Sequence, residues 1–225
     1  MINHFFKNSK DLLNDTVFYI VLVLHIIFGL VFRHYPFLAF IHAYLILILG
    51  IYYAIRDEDI KILFVCAYIS GSEILWRMVK APNVYWESGK YFISFILMIV
   101  LFKKILNNKS FPFFPIISFL LLSLSISVMN SDSIDIFKQV SFNLSGHLCL
   151  MFSIIYFNNL KLSSKSIFLF HLGFIIPIIS VSAVGIRTVI FSDYIIFGND
   201  TNRLMSGDFG GNQFGIIMGL GVISF

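Results

Sequence analysis

The sequence predicts an all-α protein, a polytopic bundle of transmembrane helices. Apolar residues make up 58% of the 225 residues and charged residues only 12%, whereas soluble domains have about 45–50% and about 25%. A soluble globule of this size could not bury so much apolar surface, and the mean hydropathy is +0.89. The apolar residues fall in long runs without the sustained alternation of period two that strands show. This pattern excludes a soluble enzyme, a disordered chain and a nucleic-acid-binding module.

Eight apolar runs are separated mostly by short connectors. A transmembrane helix needs about 20 apolar residues, and the first seven runs come close to this length. The eighth has about thirteen residues, too few for a helix that rises about 1.5 Å per residue to cross a bilayer. We therefore expect about seven complete spans and a truncated eighth, in a single transmembrane domain (1–225) that is the N-terminal portion of a longer chain. The runs are 16–32, 37–55, 60–76, 91–106, 113–129, 142–157, 167–186 and 213–225.

The charges in the connectors indicate an orientation. The first run predicts a retained span, because no small-residue cleavage site closes it. Lys and Arg are slightly more frequent on the cytoplasmic side if the N-terminus is cytoplasmic. Arginine binds anions through paired donors, so arginines on the opposite side are candidates for ligand contact. In this orientation four of the five arginines are outside: Arg33, Arg77, Arg187 and Arg203.

The connector after the third run is one candidate site. Glu73 and Arg77 are four residues apart, so in a helix they share a face and can pair. Ionisable side chains at membrane depth are a functional hypothesis. Together with Lys80 and Lys90, the pair would form a cationic mouth for a lipid-linked anion. The alternative is an ion pair that anchors the helix end among interfacial aromatic residues.

The connector after the seventh run is the second candidate site. It contains Arg203, and Arg187 lies at its start. Gly210 and Gly211 permit tight backbone turns, and Asn212 stands at or near the start of the last helix, where it can cap it. A helix N-terminus preceded by glycines, with an arginine nearby, suits an anion such as a diphosphate. The alternative is a capped helix and a solvated loop.

Other chemistry is not indicated by the sequence. No metal-ligand spacing, phosphate loop or Ser/His/Asp order occurs, so we expect no metal and no cofactor. Cys66 and Cys149 lie inside apolar runs and are interpreted as small buried side chains. Four histidines within the runs, including His25 and His42, are interpreted as packed and hydrogen-bonded or as lining a wet cavity.

The segment from Arg203 to Gly221 resembles the bacterial O-antigen ligase and O-antigen polymerase superfamily. It contains Arg-Leu-x-x-Gly, then Phe-Gly, then Asn212 at the head of a glycine-rich apolar helix. The third outer connector is similar to that of some members, with Glu-x-x-x-Arg-x-x-x-Ala followed by Trp-Glu-x-x-Lys-Tyr. Members usually have Pro before the Asn, where this chain has Gly211. The resemblance covers the N-terminal half to two-thirds of such a protein.

This resemblance implies a metal-independent membrane glycosyltransferase of the bacterial inner membrane, acting on the periplasmic side in cell-envelope polysaccharide assembly. It would move or polymerise a glycan from undecaprenyl diphosphate to a hydroxyl of another glycan or of a lipid A core. In the family, periplasmic arginines bind the diphosphate. This implies that role for Arg203 and, as a looser match, for Arg187. An acceptor-activating histidine is expected beyond residue 225.

Two other classes of function remain open. A transporter or flippase for a lipid-linked sugar would need the cationic cavity but no base; transporters often have broken helices in paired repeats, and Pro177 interrupts the seventh run although no repeat is found. A non-catalytic membrane subunit would need no site. A metal-dependent lipid-phosphate-sugar transferase is disfavoured, because the first outer connector reads Arg-His-Tyr-Pro (33–36) and contains no acid.

Overall fold

The computed structural model describes residues 15–85, 87–106, 123, 136–158, 160–191 and 211–224, and over these residues it is helical without any β-strand. The helices, numbered in chain order, are α1 (Asp15–His34), α2 (Pro36–Arg56), α3 (Asp59–Met78), α4 (Ser88–Leu106), α5 (Ile136–Asn158), α6 (Ser164–Ile190) and α7 (Gly211–Ser224).

Local sequence signals explain several of the helix ends. Pro36 occupies the first turn of α2, where its missing N–H has no helical acceptor in any case. The hydroxyl of Ser163 caps α6 by accepting a hydrogen bond from the N–H of Ser166 at 3.2 Å. After α2 the chain turns at Asp57, whose φ of 57° is left-handed. The turns between α1, α2 and α3 are therefore short and favour antiparallel neighbours.

Contacts between helices fix their relative directions. Near the middle of α1, His25 meets Tyr68 of α3, and near its end Arg33 meets Met78, so α1 and α3 run the same way. By the same reasoning α6 shares this direction, while α2, α4, α5 and α7 run the opposite way. The contacts used are Phe64–Gly173 and Gly71–Pro177 for α6, Trp76–His42 and Val65–Gly50 for α2, Tyr44–Phe92 and Ile55–Lys103 for α4, Glu87–Ser145 and Asp59–Tyr156 for α5, and Ser182–Met218 and Ile178–Gly221 for α7.

The bundle therefore has two distinct ends. One end carries the turns at residue 35 and at residues 79–87, and we call it the upper end. The lower end carries the turns at residues 57–58 and 160–163. The last turn of α6 and the first turn of α7 also lie at the upper end, so the described ends of both connectors singled out from the sequence lie at the same end.

Small residues allow α3 and α6 to approach closely in the centre of the bundle. A Cβ on Gly173 would lie 2.7 Å from the carbonyl oxygen of Phe64, and one on Gly71 would lie 2.6 Å from Pro177. Membrane helices associate through this kind of close packing. Pro177 cannot donate to the carbonyl four residues earlier, yet α6 continues through it to Ile190.

Three of the described helices are long and apolar enough to cross a membrane: Val17–His34 within α1, Pro36–Arg56 and Ser164–Ile190. The prediction of an all-α membrane protein is confirmed at this level, but the described residues do not contain the seven complete spans that the sequence predicted. The helices α3 and α4 have 20 and 19 residues and each carries at least three charged side chains. Shorter apolar helices cover Leu144–Asn158 and Phe214–Ser224. The run at 113–129 lies outside the described residues, apart from residue 123.

The outward faces of α1 and α2 carry large exposed apolar side chains. Val23 and Ile27 of α1 and Leu45 and Ile48 of α2 are each about half exposed or more. A soluble protein rarely presents contiguous apolar surface of this kind. These faces are suited to contact with the acyl chains of a lipid bilayer.

Candidate functional site

A group of charged side chains is buried at the upper end of α3. Arg77 forms an ion pair with Glu73, one helical turn earlier. Its Nη2 also lies 3.5 Å from Oε1 of Glu87 in the turn before α4. Lys90, in the first turn of α4, pairs with Oε2 of the same Glu87. We call these four residues the charged cluster.

Most of the charged cluster is withdrawn from solvent. The side chains of Arg77, Glu87 and Glu73 are 6%, 7% and 13% exposed, whereas that of Lys90 is 40% exposed. A hydroxyl from a third helix completes it, because Ser145 of α5 donates to Oε2 of Glu87 at 3.0 Å. Burying charges is costly unless they are paired and hydrogen-bonded. The charged cluster meets this condition by joining α3, α4 and α5.

Gly89 provides the space for the Glu73 carboxylate. A Cβ at position 89 would lie 2.6 Å from Oε2 of Glu73, so any larger residue would push the carboxylate away from Arg77. Packing therefore explains why the residue between Ser88 and Lys90 is a glycine. It lets the start of α4 lie directly against the last turns of α3.

The charge balance of the cluster bears on the predicted cationic mouth. Two carboxylates face two cations, so the cluster is formally neutral. An anionic ligand that binds Arg77 would have to compete with Glu73 and Glu87 for the guanidinium. Lys90 is the member with substantial exposure, and it is the one through which the cluster reaches solvent. The cationic mouth itself stays a prediction.

Glu87 is a residue that the sequence analysis did not select as a site. Its signal was present, since Glu87 and Lys90 are three residues apart, a spacing at which side chains pair in a helix. In the sequence analysis this connector is a candidate cationic mouth or an ion pair that anchors the helix end, and Glu87 enters only through the motif Trp-Glu-x-x-Lys-Tyr. Only the fold shows that the connector turns back and places Glu87 against Arg77.

Lys80, the remaining member of the predicted mouth, lies in the turn that ends α3. Its φ of 55° is left-handed, a conformation that glycine usually takes at this position. The N–H of Lys80 donates to the carbonyl of Arg77 and that of Ala81 to the carbonyl of Trp76, both at 2.9 Å. This is a Schellman ending of the helix. The Lys80 side chain is exposed, outside the buried part of the charged cluster.

The second predicted site is described only in part. Arg187 lies in the last turn of α6, where its guanidinium is 5.7 Å from the centre of the Phe191 ring. Gly211 is the first residue of α7 and Asn212 the second, so Asn212 lies near the helix start, inside the first turn; its capping and anion-binding roles stay predictions. Arg203 and Gly210 lie outside the described residues. The described parts of this site share the upper end with the charged cluster.

A second buried polar group joins α1, α2 and α3. Nε2 of His25 and Nε2 of His42 both lie 2.9 Å from the hydroxyl oxygen of Tyr68. Trp76 donates from Nε1 to Nδ1 of His42 at 3.0 Å, and Nδ1 of His25 lies 2.8 Å from the carbonyl oxygen of Val21. We call His25, His42, Tyr68 and Trp76 the histidine network. The sequence interpretation of these histidines as packed and hydrogen-bonded agrees with it, but could not name the partners.

The candidate metal ligands and the two cysteines can be located in the described part of the chain. There, no group of three or more His, Cys, Asp or Glu side chains is placed to hold a metal ion. Cys66 is a buried free thiol and Cys149 a partly buried one. The interpretation of both as small side chains within the bundle is consistent with these positions.

The fold and these polar groups define a class: a helical membrane protein with ionisable side chains buried inside its bundle. Comparisons of the chain with models of protein families, with curated proteins and with solved structures found no match. A function is therefore inferred from the residues themselves and from the end of the bundle where they lie.

Proposed function

We propose that this protein is a membrane glycosyltransferase that moves or polymerises a glycan from undecaprenyl diphosphate to a hydroxyl acceptor, in the manner of O-antigen ligases and polymerases. The observation that supports the proposal is that the described ends of both connectors selected from the sequence lie at the upper end of the bundle. Arg187 at the end of α6 and Gly211 at the start of α7 lie at the same end as Arg77. Residues far apart in sequence would thus serve one site.

The chemistry of the reaction explains why arginines and a helix start are suitable. The donor already carries a good leaving group, a diphosphate, whose negative charge grows in the transition state. Paired guanidinium donors stabilise such charge best where water is excluded. The start of α7 adds partial positive charge and free N–H groups. We assign Arg203 and Arg187 to the diphosphate, with Gly210, Gly211 and Asn212 beside them.

The proposed location follows from the same end of the bundle. With the N-terminus in the cytoplasm, α1 leads to the upper end on the opposite side of the membrane. In a bacterial inner membrane that side is the periplasm, where a glycan or lipid A core acceptor would be met. The exposed apolar faces of α1 and α2 would then contact the lipid in which the polyprenyl donor is dissolved.

A substitution series at Arg203 tests this proposal. We expect Arg203→Ala, in the full chain, to lower glycan transfer at least about 100-fold, because loss of one preorganised donor to a transition-state charge has about this effect. Arg203→Lys should restore only part of the activity, since lysine lacks the planar pair of donors. Transfer is measured with purified protein in nanodiscs and an undecaprenyl diphosphate-linked glycan.

The matched control is Arg56→Ala at the lower end of the bundle. Arg56 is an exposed arginine whose guanidinium lies 4.6 Å from the centre of the Tyr52 ring, and we expect its removal to leave transfer unchanged. Membrane insertion of each variant is checked by fractionation. Full activity in Arg203→Ala, or an equal loss in Arg56→Ala, would show that the assigned site is wrong.

A lipid-linked sugar transporter is the second candidate, and one observation favours it. The described bundle holds ionisable groups on α3 next to a proline-containing helix, and intramembrane charges of this kind often mark a transport pathway. Such a protein would move the donor across the bilayer without breaking the bond between the glycan and its diphosphate. The fate of that bond therefore separates the two candidates.

A further inference from the structure

The histidine network has only one arrangement of hydrogens that satisfies every member. The indole N–H of Trp76 can only donate, so Nδ1 of His42 must be its acceptor at 3.0 Å. The proton of neutral His42 is then on Nε2 and is donated to the hydroxyl oxygen of Tyr68 at 2.9 Å. The position of the proton on His25 is fixed in the same way, by the carbonyl of Val21.

At the Val21 end of the network, a backbone carbonyl can only accept. The carbonyl oxygen of Val21 lies 2.8 Å from Nδ1 of His25, which places the proton of neutral His25 on Nδ1. Its Nε2 is therefore an acceptor, and it receives the hydroxyl hydrogen of Tyr68 at 2.9 Å. The network is a single directed chain from Trp76 through His42, Tyr68 and His25 to Val21, in which both imidazoles are neutral.

This chain is closed at both ends and is not a path for protons. A relay needs a group at each end that can take up or release a proton. Here one end is an indole N–H and the other is a backbone carbonyl, and neither exchanges protons near neutral pH. What the chain does is hold three helices together, since its members come from α1, α2 and α3.

An extra proton on His42 has no acceptor in this arrangement. Its Nδ1–H would point at the N–H of Trp76, so two donors would face each other and one hydrogen bond would be lost. A proton on His25 is easier to accommodate, because the hydroxyl of Tyr68 can turn and accept from both rings. His42 is therefore the member whose protonation breaks the chain.

The described surroundings of the two imidazoles do not offset the added charge. On α1, Phe28 lies against the ring of His25 and Phe32 against that of His42. On α4, Phe92 lies against Trp76, and on α6 the hydroxyl of Ser180 is bonded to the carbonyl of His25. The charged groups nearest along these elements are already engaged: Arg33 of α1 donates to the carbonyl of Met78, and Glu73 and Arg77 of α3 pair with each other.

We propose that the histidine network is an acid-sensitive latch: it holds α1 and α2 against α3 when His42 is neutral, and protonation of His42 opens it. The ligand that works the latch is a proton. The part that changes between a closed and an open state is the contact of α2 with α3, at the hydrogen bond between His42 and Trp76. This proposal is independent of the proposed glycosyl transfer.

Trp76 itself provides the readout. The chain has two tryptophans, so Trp86→Phe leaves Trp76 as the single tryptophan, which long-wavelength excitation selects over the tyrosines. Its emission and its quenching by acrylamide are followed in nanodiscs between about pH 8 and about pH 3.5, a range that extends below the one in which exposed histidines titrate, because the surroundings of His42 disfavour the charged imidazole. We expect a reversible loss of intensity on acidification, because an imidazolium quenches an adjacent indole, together with greater access of acrylamide.

Two further variants in the Trp86→Phe background assign the transition. His42→Gln supplies an acceptor and a donor but cannot titrate, so its emission should not change with pH. His34→Gln removes a histidine at the end of α1, outside the network, and should keep the full transition. Folding of each variant is checked by circular dichroism and gel filtration. If His42→Gln does not fold, His42→Asn replaces it, because asparagine also supplies a donor and an acceptor and does not titrate.

Two results of this experiment would contradict the proposed latch. A flat emission profile in the Trp86→Phe protein would overturn the latch. So would a transition of the same size and midpoint in a folded His42→Gln or His42→Asn protein. Loss of the transition in those variants, with its retention in His34→Gln, supports it.

Discussion

Glu87 shows how one side chain can fix the upper end of the bundle. It contacts Arg77, Lys90 and Ser145, and so connects α3, α4 and α5. We expect Glu87→Gln to lower the free energy of unfolding by about 3 kcal/mol, because removing one partner leaves buried charge without compensation. Denaturant titration of the protein in detergent measures this change.

Asp57→Asn is the matched control for Glu87→Gln. Asp57 also pairs with a lysine, since its Oδ2 lies 2.7 Å from Nζ of Lys103, but its side chain is 58% exposed. Exposed pairs contribute about 1 kcal/mol at most, and asparagine tolerates the left-handed conformation of this residue. Equal losses in both variants would contradict the description of the charged cluster as a buried, mutually compensated group.

Tyr68 tests the histidine network at the same scale. Tyr68→Phe removes the hydroxyl between His25 and His42 and leaves one acceptor and one donor without a partner. We expect a loss of about 2–4 kcal/mol in unfolding free energy, from two unsatisfied buried groups. Tyr19→Phe, which removes a hydroxyl from a side chain that is 65% exposed, should have no measurable effect. Similar stability of both variants would show that the network contributes nothing to packing.

At the residue scale the sequence allowed partial prediction. The Glu73–Arg77 pair follows from helical spacing, and the structure contains it. The partnership of Arg77 with Glu87 depends on how the chain turns after α3, including two left-handed residues, Lys80 and Asn83. The bonds of Tyr68 to two histidines depend on the rotation of three helices. Neither is encoded in local spacing.

At the scale of elements, the packing of α3 against α6 depends on glycine. We expect Gly173→Ala to destabilise the protein by about 1–3 kcal/mol, because the new methyl group would meet the backbone carbonyl of Phe64 at 2.7 Å and force the helices apart. Thermal unfolding in detergent measures the effect. A backbone atom cannot move aside as a flexible side chain can.

Gly215→Ala on α7 is the corresponding control. A Cβ at this position meets nothing within 4 Å, and alanine favours a helix over glycine by about 0.5–1 kcal/mol. We therefore expect no loss of stability and a small gain. If Gly173→Ala were as well tolerated as Gly215→Ala, the close approach of α3 and α6 would not be a determinant of the fold.

The extents of the elements were predictable where apolar runs and end signals coincide. The run at 37–55 corresponds to α2, which begins at Pro36 and ends at Arg56. The run at 142–157 falls within α5, which begins six residues earlier at Ile136. The start of α5 lies in a stretch that contains Lys138 and Gln139, so the end of the apolar run does not mark the beginning of the helix. Helix formation continues past the apolar limit because backbone bonding does not require apolar side chains.

At the scale of the whole molecule, the helix directions predict which loops share a side of the membrane. In a Cys66→Ala, Cys149→Ala background we expect Tyr85→Cys, at the upper end, to react with a membrane-impermeant maleimide on intact cells. Leu162→Cys, at the lower end, should react only after permeabilisation. Both parent side chains are exposed, at 79% and 46%.

The two outcomes of this labelling separate the fold from the orientation. Reaction of both cysteines on intact cells would contradict the described bundle, because its two ends would lie on one side. The reverse pattern would preserve the bundle and contradict a cytoplasmic N-terminus. The sequence predicted the helical membrane class from composition alone, whereas orientation depended on a small charge difference between connectors.

The most direct test of the central claim is the fate of the bond between the donor's glycan and its diphosphate. Purified full chain in nanodiscs is supplied with an undecaprenyl diphosphate-linked glycan and a hydroxyl acceptor, and the lipid products are resolved by mass spectrometry. We predict release of undecaprenyl diphosphate in equal amount to glycosylated acceptor, and its absence with Arg203→Ala. An intact donor, found on the opposite leaflet in proteoliposomes or unchanged, would contradict glycosyl transfer.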